Sequence, residues 1–130
     1  MNNILEVRGL RKSYGTFTLN DVSFNVPSGY IMGFIGPNGA GKTTTIKLML
    51  GIIKRDTGTV NIFGSDADLA QNENIGVVMD APMYVDEWTL TDVESAISPF
   101  YKQWDKGLYA DYIKRFGLDT KRKSKSCHEA

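Results

Sequence analysis

The stretch Gly36-Pro37-Asn38-Gly39-Ala40-Gly41-Lys42-Thr43-Thr44 constrains this chain more than any other. It fits the pattern G-x-x-x-x-G-K-[ST], with Gly36, Gly41, Lys42 and Thr43 in the fixed places. Gly36, Gly39 and Gly41 lack a Cβ, so the backbone is free to take positive φ and turn its N–H groups toward one concave point, an anion site. Lys42 adds a compact positive charge, and a helix starting at the loop adds its N-terminal dipole. Opposite unit charges about 4 Å apart at an effective dielectric near 20 attract by roughly 4 kcal/mol, so one lysine matters to a multiply charged phosphate ligand. The Thr43 hydroxyl can serve a magnesium ion that keeps its waters and phosphate oxygens as other ligands. The flanks supply the required context. Tyr30 to Ile35 is an apolar run of buried-strand length, and Thr44 to Leu50 forms a helix closed by Gly51 at its C-cap.

A chain of 130 residues makes one ordinary domain, or part of a larger one. Fifteen basic and fifteen acidic residues give zero formal net charge, which argues against nucleic acid as the main partner. Cys127 is the only cysteine, which excludes an internal disulfide and favours a reducing compartment. The start, Met1 to Arg8, has neither the basic end nor the apolar block of a signal peptide, and no segment reads as long enough to span a bilayer.

Period-two alternation over Ile4–Arg8 and over Thr16–Val26 predicts two half-buried antiparallel strands, the second with an irregularity near Asn20-Asp21. Arg11 to Gly15 reads as a turn carrying one aromatic, Tyr14. Thr59–Phe63 is a further strand stopped by Gly64, Ser65–Asn74 a short surface helix or loop, and Ile75–Met79 an apolar strand covered on both faces and ended by Asp80-Ala81-Pro82. Thr91 and Glu94 have capping-box spacing ahead of a helix that Pro99 should kink or restart. Asp105 is placed to cap a second helix, with Leu108, Tyr109, Tyr112, Ile113 and Phe116 as its buried stripe and Gly117 as its end. Lys121 to Ala130, basic and nearly free of apolar residues, reads as a solvated tail.

Leu19-Asn20-Asp21-Val22-Ser23-Phe24, Gly33 through Thr44, and Gly58 through Gly64 closely resemble the ATP-binding subunit of ABC transporters, with the similarity running from about Ile4 to Gly117. The resemblance implies an α/β fold: a P-loop nucleoside triphosphatase core with an amino-terminal antiparallel β subdomain over 1–86, the start of a helical subdomain over 87–120, and a disordered tail over 121–130. It implies ATP and magnesium (Mg2+) as cofactors, Tyr14 stacked on adenine, Gly36 to Thr44 around the phosphates and Thr43 on the metal. Asp80 stands where the family usually has a glutamine that contacts magnesium and the attacking water. Read without the family, Asp80 resembles the magnesium-holding aspartate of other P-loop enzymes.

The family's later elements, a serine-glycine signature loop, an aspartate-glutamate strand and a histidine loop, find no match in Ser124 to Ala130. The fold is therefore expected to be incomplete at the carboxy end, with His128 and Glu129 as tail residues rather than switch histidine and general base. ATP binding with little or no hydrolysis is the expectation for this chain, since phosphoryl transfer depends on positioning and charge stabilisation. The implied partner is a membrane-spanning transporter subunit that would hold the chain at the cytoplasmic side of the membrane. An apolar strand edge left open by the absent neighbour predicts a homodimer or strand-exchanged oligomer. Two alternatives stay open: a self-sufficient module that binds nucleotide without turnover, and a small P-loop kinase or GTPase using Asp80 on magnesium.

Overall fold

The structure, a computed structural model, describes residues 2–67, 72–78 and 86–123. The chain divides into two compact units, Met1–Asn72 and Glu73–Ala130.

The first unit is an antiparallel sheet, with the glycine loop and one helix inserted in sequence between its second and third strands. Strand β1 (Asn3–Tyr14) lies between β2 (Phe17–Pro27) and β3 (Thr57–Ile62), and β3 carries the short β4 (Ser65–Asp66) on its outer edge. Val7 pairs with Phe24 on one side and Val60 on the other. Val7, Leu10 and Val60 are fully buried; Val7 and Leu10, three residues apart, share that face because an irregularity lies between them. The register slips near Gly9, which takes φ 55°. The N–H of Gly9 is satisfied there by the Ser23 hydroxyl at 2.8 Å. Gly58 enters this bulge at φ 96°, in a space where a Cβ would sit 2.7 Å from the Arg8 carbonyl oxygen. The expected irregularity in the second strand is present as Asp21 at φ 52°.

Three strand expectations are corrected. Arg11 to Gly15 is not a turn: β1 continues to Tyr14, and only Gly15-Thr16 turns, so that Tyr14 pairs directly with Phe17. Tyr30 to Ile35 forms no strand; Tyr30 N–H reaches back to Pro27 O at 3.4 Å, Phe34 packs its ring 5.4 Å from that of Phe24, and Ile31 and Ile35 are fully exposed. Ile75 to Val78 likewise forms no strand, with Val78 fully exposed, and Met79 lies outside the described residues. Both runs have strand composition, but a strand exists only as part of a ladder, and neither finds one among the described residues. Part of the Ser65–Asn74 segment, expected as helix or loop, instead pairs as β4, and Asn72–Asn74 is one 3-10 turn.

Helix α1 (Lys42–Met49) follows the glycine loop and ends as the sequence predicts. Gly51 at φ 68° donates to Leu48 O, and Ile52 donates to Lys47 O, the paired bonds that a left-handed glycine allows past a helix end. Its buried side chains, Thr45 and Leu48, lie one turn apart on a single face.

The second unit holds α2 (Leu90–Ile97) and α3 (Lys106–Arg115). The capping box of α2 is Thr89 with Asp92, not Thr91 with Glu94: Thr89 N–H donates to Asp92 Oδ2 at 2.9 Å and Asp92 N–H to Thr89 Oγ1 at 3.2 Å. Aspartate closes the box as glutamate would, and Glu94 instead accepts from the Trp104 indole at 3.1 Å. Pro99 sits in a 3-10 turn, Ser98–Phe100, where α2 stops. Asp105 caps α3 through Leu108 N–H at 2.9 Å, and Gly117 at φ 65° closes it. The Tyr109 hydroxyl donates to Leu90 O at 2.8 Å, tying α3 to the start of α2. The anticipated stripe on α3 is only partly buried: Ile113 is inside, while Leu108, Tyr112 and Phe116 are exposed. The described beginning of the expected tail, Lys121 to Lys123, is exposed, and Lys123 bridges to Thr89.

Candidate functional site: the glycine loop at the start of α1

A cavity of about 410 Å³ opens at the N-terminus of α1, lined by Phe17, Asn38, Gly39, Gly41, Lys42, Thr43 and Thr44. The loop is shaped by a turn in which Ala40 N–H donates to Pro37 O at 3.2 Å with Gly39 inside it at φ 83°, followed by a second left-handed glycine, Gly41 at φ 97°. Gly36 does not take positive φ; a Cβ there would meet only ordinary contacts, 3.6 Å from the Ala40 Cβ and 3.8 Å from Lys42 Cδ. At Gly41 both conformation and space oppose a side chain, for an added Cβ would lie 2.9 Å from Leu19 Cδ1 and 3.0 Å from Phe17 Cζ and would force those side chains to shift.

The helix ladder begins with Thr45 N–H donating to Gly41 O at 2.9 Å, and the Thr45 hydroxyl donates to the same oxygen at 2.8 Å. The amides of Lys42, Thr43 and Thr44 thus precede the ladder and form the positive end of the helix dipole. No acidic residue occupies the first turn of α1, so no side chain of that turn competes for the site. Lys42 folds back to donate from Nζ to the carbonyl of Gly36, the residue that opens the motif. Entry of an anion would draw that amine off a neutral carbonyl onto a charged oxygen, a stronger acceptor.

The lining supplies neutral hard oxygens, among them the Thr43 hydroxyl at the motif's metal position, and no carboxylate among the described residues. Nor do those residues contain a cluster of three His, Cys, Asp or Glu side chains able to hold a metal. Such a donor set fits a magnesium that arrives on phosphate oxygens and keeps its waters, not one caged by the protein alone. Asp80, His128 and Glu129 lie outside the described residues.

Tyr14 stands at the end of the β1–β2 hairpin, 44% exposed, with the Lys12 ammonium 5.4 Å from its ring centre. Lys12 also meets Asp56 at 3.4 Å, and Asp56 accepts from Ser13 N–H at 2.8 Å. That backbone hydrogen bond, opposed by slight desolvation and assisted by Lys12, holds the Asp56 carboxyl below its ordinary 3.8. The hairpin end is thereby tied to the segment entering β3. Phe17, which sequence reasoning did not single out, is the aromatic that lines the cavity. Its signal was available: across a two-residue turn Tyr14 and Phe17 must face the same way.

An antiparallel β unit, a glycine loop with its lysine, and a helix springing from that loop define a P-loop nucleoside triphosphatase architecture. The family model described as "ABC transporter" matches residues 19–129. The chain belongs to the ABC transporter family. It is 36% identical over 80 residues to the lantibiotic transport ATP-binding protein SrtF of Streptococcus pyogenes, covering 61% of this chain and 35% of that protein. It is 52% identical over 62 residues to the Nod factor export ATP-binding protein I of Ralstonia nicotianae, covering 47% of this chain and 19% of that protein. A solved ATP-binding subunit of an ABC transporter superposes with a TM-score of 0.69 at 31% identity, over 86% of this chain and 47% of its own. The chain thus spans about a third or less of the length of the two curated relatives.

Proposed function

We propose that this chain binds Mg-ATP as the amino-terminal part of an ABC transporter ATP-binding subunit. The observation that carries the proposal is the loop geometry: left-handed Gly39 and Gly41 deliver the chain into α1 with three amides ahead of the helix ladder, and Lys42 beside them. Gly36 to Thr44 hold the phosphates, Lys42 swings from the Gly36 carbonyl to the outer phosphates, and Tyr14 stacks on the base. Thr43 holds magnesium with Asp80 as a direct or water-bridged second contact; when bound, that ion neutralises phosphate charge. These roles gain support from the names of the relatives, which are transport and export ATP-binding proteins.

Hydrolysis belongs to the longer protein. Among the described residues no carboxylate lines the cavity, so none of them can polarise a water beside the outer phosphate. The partner is a membrane-spanning subunit, reached from the cytoplasmic side; no helix among the described residues is long and apolar enough to cross a membrane. The 87–120 segment is the start of the helical subdomain that docks there, and an apolar groove in the second unit, bordered by Trp88, Val93, Tyr101, Trp104, Leu108 and Tyr112, supports that assignment. Tyr30 to Ile35 forms no strand edge, so pairing with a second copy would rest on the exposed apolar surface of Ile31 and Ile35.

Calorimetry with Mg-ATP, with Lys42→Ala as control, tests the central claim. Saturable binding lost in the variant is the expected result, and equal binding by both proteins overturns it. Phosphate release that depends on Lys42 would overturn the assignment of hydrolysis to the longer protein, and light scattering showing only monomer at high concentration would remove the pairing.

A further inference from the structure

Rising from the core toward solvent, one face of the β1–β2 hairpin presents Leu19, then Phe17, then Tyr14. Leu19 and Phe17 are two residues apart on β2 and therefore on the same face, and both abut Gly41. Tyr14 is the cross-strand partner of Phe17, so its side chain shares that face. Leu19 is buried, Phe17 half-buried and Tyr14 the most open of the three. The row starts at the phosphate loop and leads away from it. Phe17 is the one residue of the cavity lining with a large apolar side chain; every other contributor is polar, charged or glycine. A phosphate gains nothing from such a ring, which can offer it no hydrogen bond.

We infer that Phe17 is a binding residue for the nucleoside portion of the ligand, its ring covering the sugar next to the phosphate loop while Tyr14 takes the base further out. The inference rests on the proposed nucleotide site. It assigns the chain a means of distinguishing a nucleoside triphosphate from bare polyphosphate, because only the nucleoside reaches an apolar surface. Phe17 has a second duty, since its Cζ limits the space above Gly41. A Phe17→Ala change would therefore disturb the loop as well as the contact, whereas Phe17→Leu retains bulk against Gly41 and removes the ring.

The test is calorimetric titration of the full chain with magnesium and either ATP or inorganic tripolyphosphate, for the wild type, Phe17→Leu, Phe17→Ala and Lys42→Ala. The readout is the ratio of the two affinities. An aromatic contact of ordinary strength predicts that Phe17→Leu lowers the ATP-to-tripolyphosphate ratio about three- to tenfold. A ratio unchanged in both Phe17 variants, even if both affinities fall, makes Phe17 a support for the loop and overturns the inference. If wild type and Lys42→Ala bind both ligands equally, the nucleotide site itself is wrong and the inference falls with it. Loss of both ligands in Lys42→Ala, beside a changed ratio in Phe17→Leu, is the pattern that upholds both.

Discussion

Gly41→Ala and Gly39→Ala form a matched pair that separates backbone strain from crowding. Both glycines are left-handed, at φ 97° and 83°. A residue with a Cβ pays roughly 1–2 kcal/mol to adopt that region. At Gly39 nothing lies within 4 Å of the added carbon, so strain is the whole cost. At Gly41 the same carbon would sit 2.9 Å from Leu19 Cδ1 and 3.0 Å from Phe17 Cζ. Phe17, on the rim, has room to give; Leu19 is buried and does not. Overpacking of this kind adds roughly 1–3 kcal/mol, which brings the expected loss at Gly41 to about 2–5 kcal/mol against about 1–2 kcal/mol at Gly39. Urea unfolding followed by circular dichroism, with equal slopes confirming the same two-state transition, measures both losses. Destabilisation by Gly41→Ala within about 0.5 kcal/mol of that by Gly39→Ala would refute the packing of the loop on β2, because strain alone would then account for both.

Gly58→Ala combines φ 96° with a Cβ only 2.7 Å from Arg8 O, so it should cost at least about 3 kcal/mol and part β3 from β1, visible as lost protection in hydrogen exchange of the Asn61 amide, which faces β1. Leu48→Ala, removing the fully buried apolar anchor of α1, should lower stability by about 2–5 kcal/mol in the same urea assay. The folded Asp56 and Asp92 carboxyls both titrate below the ordinary 3.8, Asp56 chiefly through Ser13 N–H and Asp92 through Thr89 N–H. Below that value the unfolded chain binds more protons than the folded one, so their stabilisation is complete above about pH 4 and is lost as pH falls through the folded values. Asp56→Asn should flatten the urea midpoint's dependence on pH in that acid range and leave the neutral-to-alkaline side of the profile in shape.

The loop, its helix and the flanking sheet were legible because their signals are local. Lys42 and Thr43 follow glycines at fixed spacing, Gly51 and Gly117 stand one place past the C-caps of α1 and α3, and Asp105 precedes α3 as its cap. Alternation over Ile4–Arg8 marked β1, whose Val7 is buried. Reading failed where the decisive partner is distant in sequence. Arg11 to Tyr14 looks like a turn but is held in β1 by β2 and by Asp56, more than forty residues on. Thr91 and Glu94 have capping-box spacing, yet Glu94 is claimed by Trp104 while Thr89 and Asp92 close the box.

The sequence by itself determined that a glycine loop bearing a lysine opens a helix here, since residue type and spacing alone decide where backbone amides are free and where a lysine stands. Only the tertiary structure decided which glycines of the loop are irreplaceable, because Gly36 and Gly41 differ not in chemistry but in φ and in what β2 brings against them. It likewise decided that Phe17 lines the cavity, because only the packing of β2 against the loop brings that ring to Gly41. The apolar runs Tyr30–Ile35 and Ile75–Val78 mark the boundary between the two: composition specifies a strand's faces, but hydrogen-bonded neighbours make it a strand, and neighbours are a property of the fold.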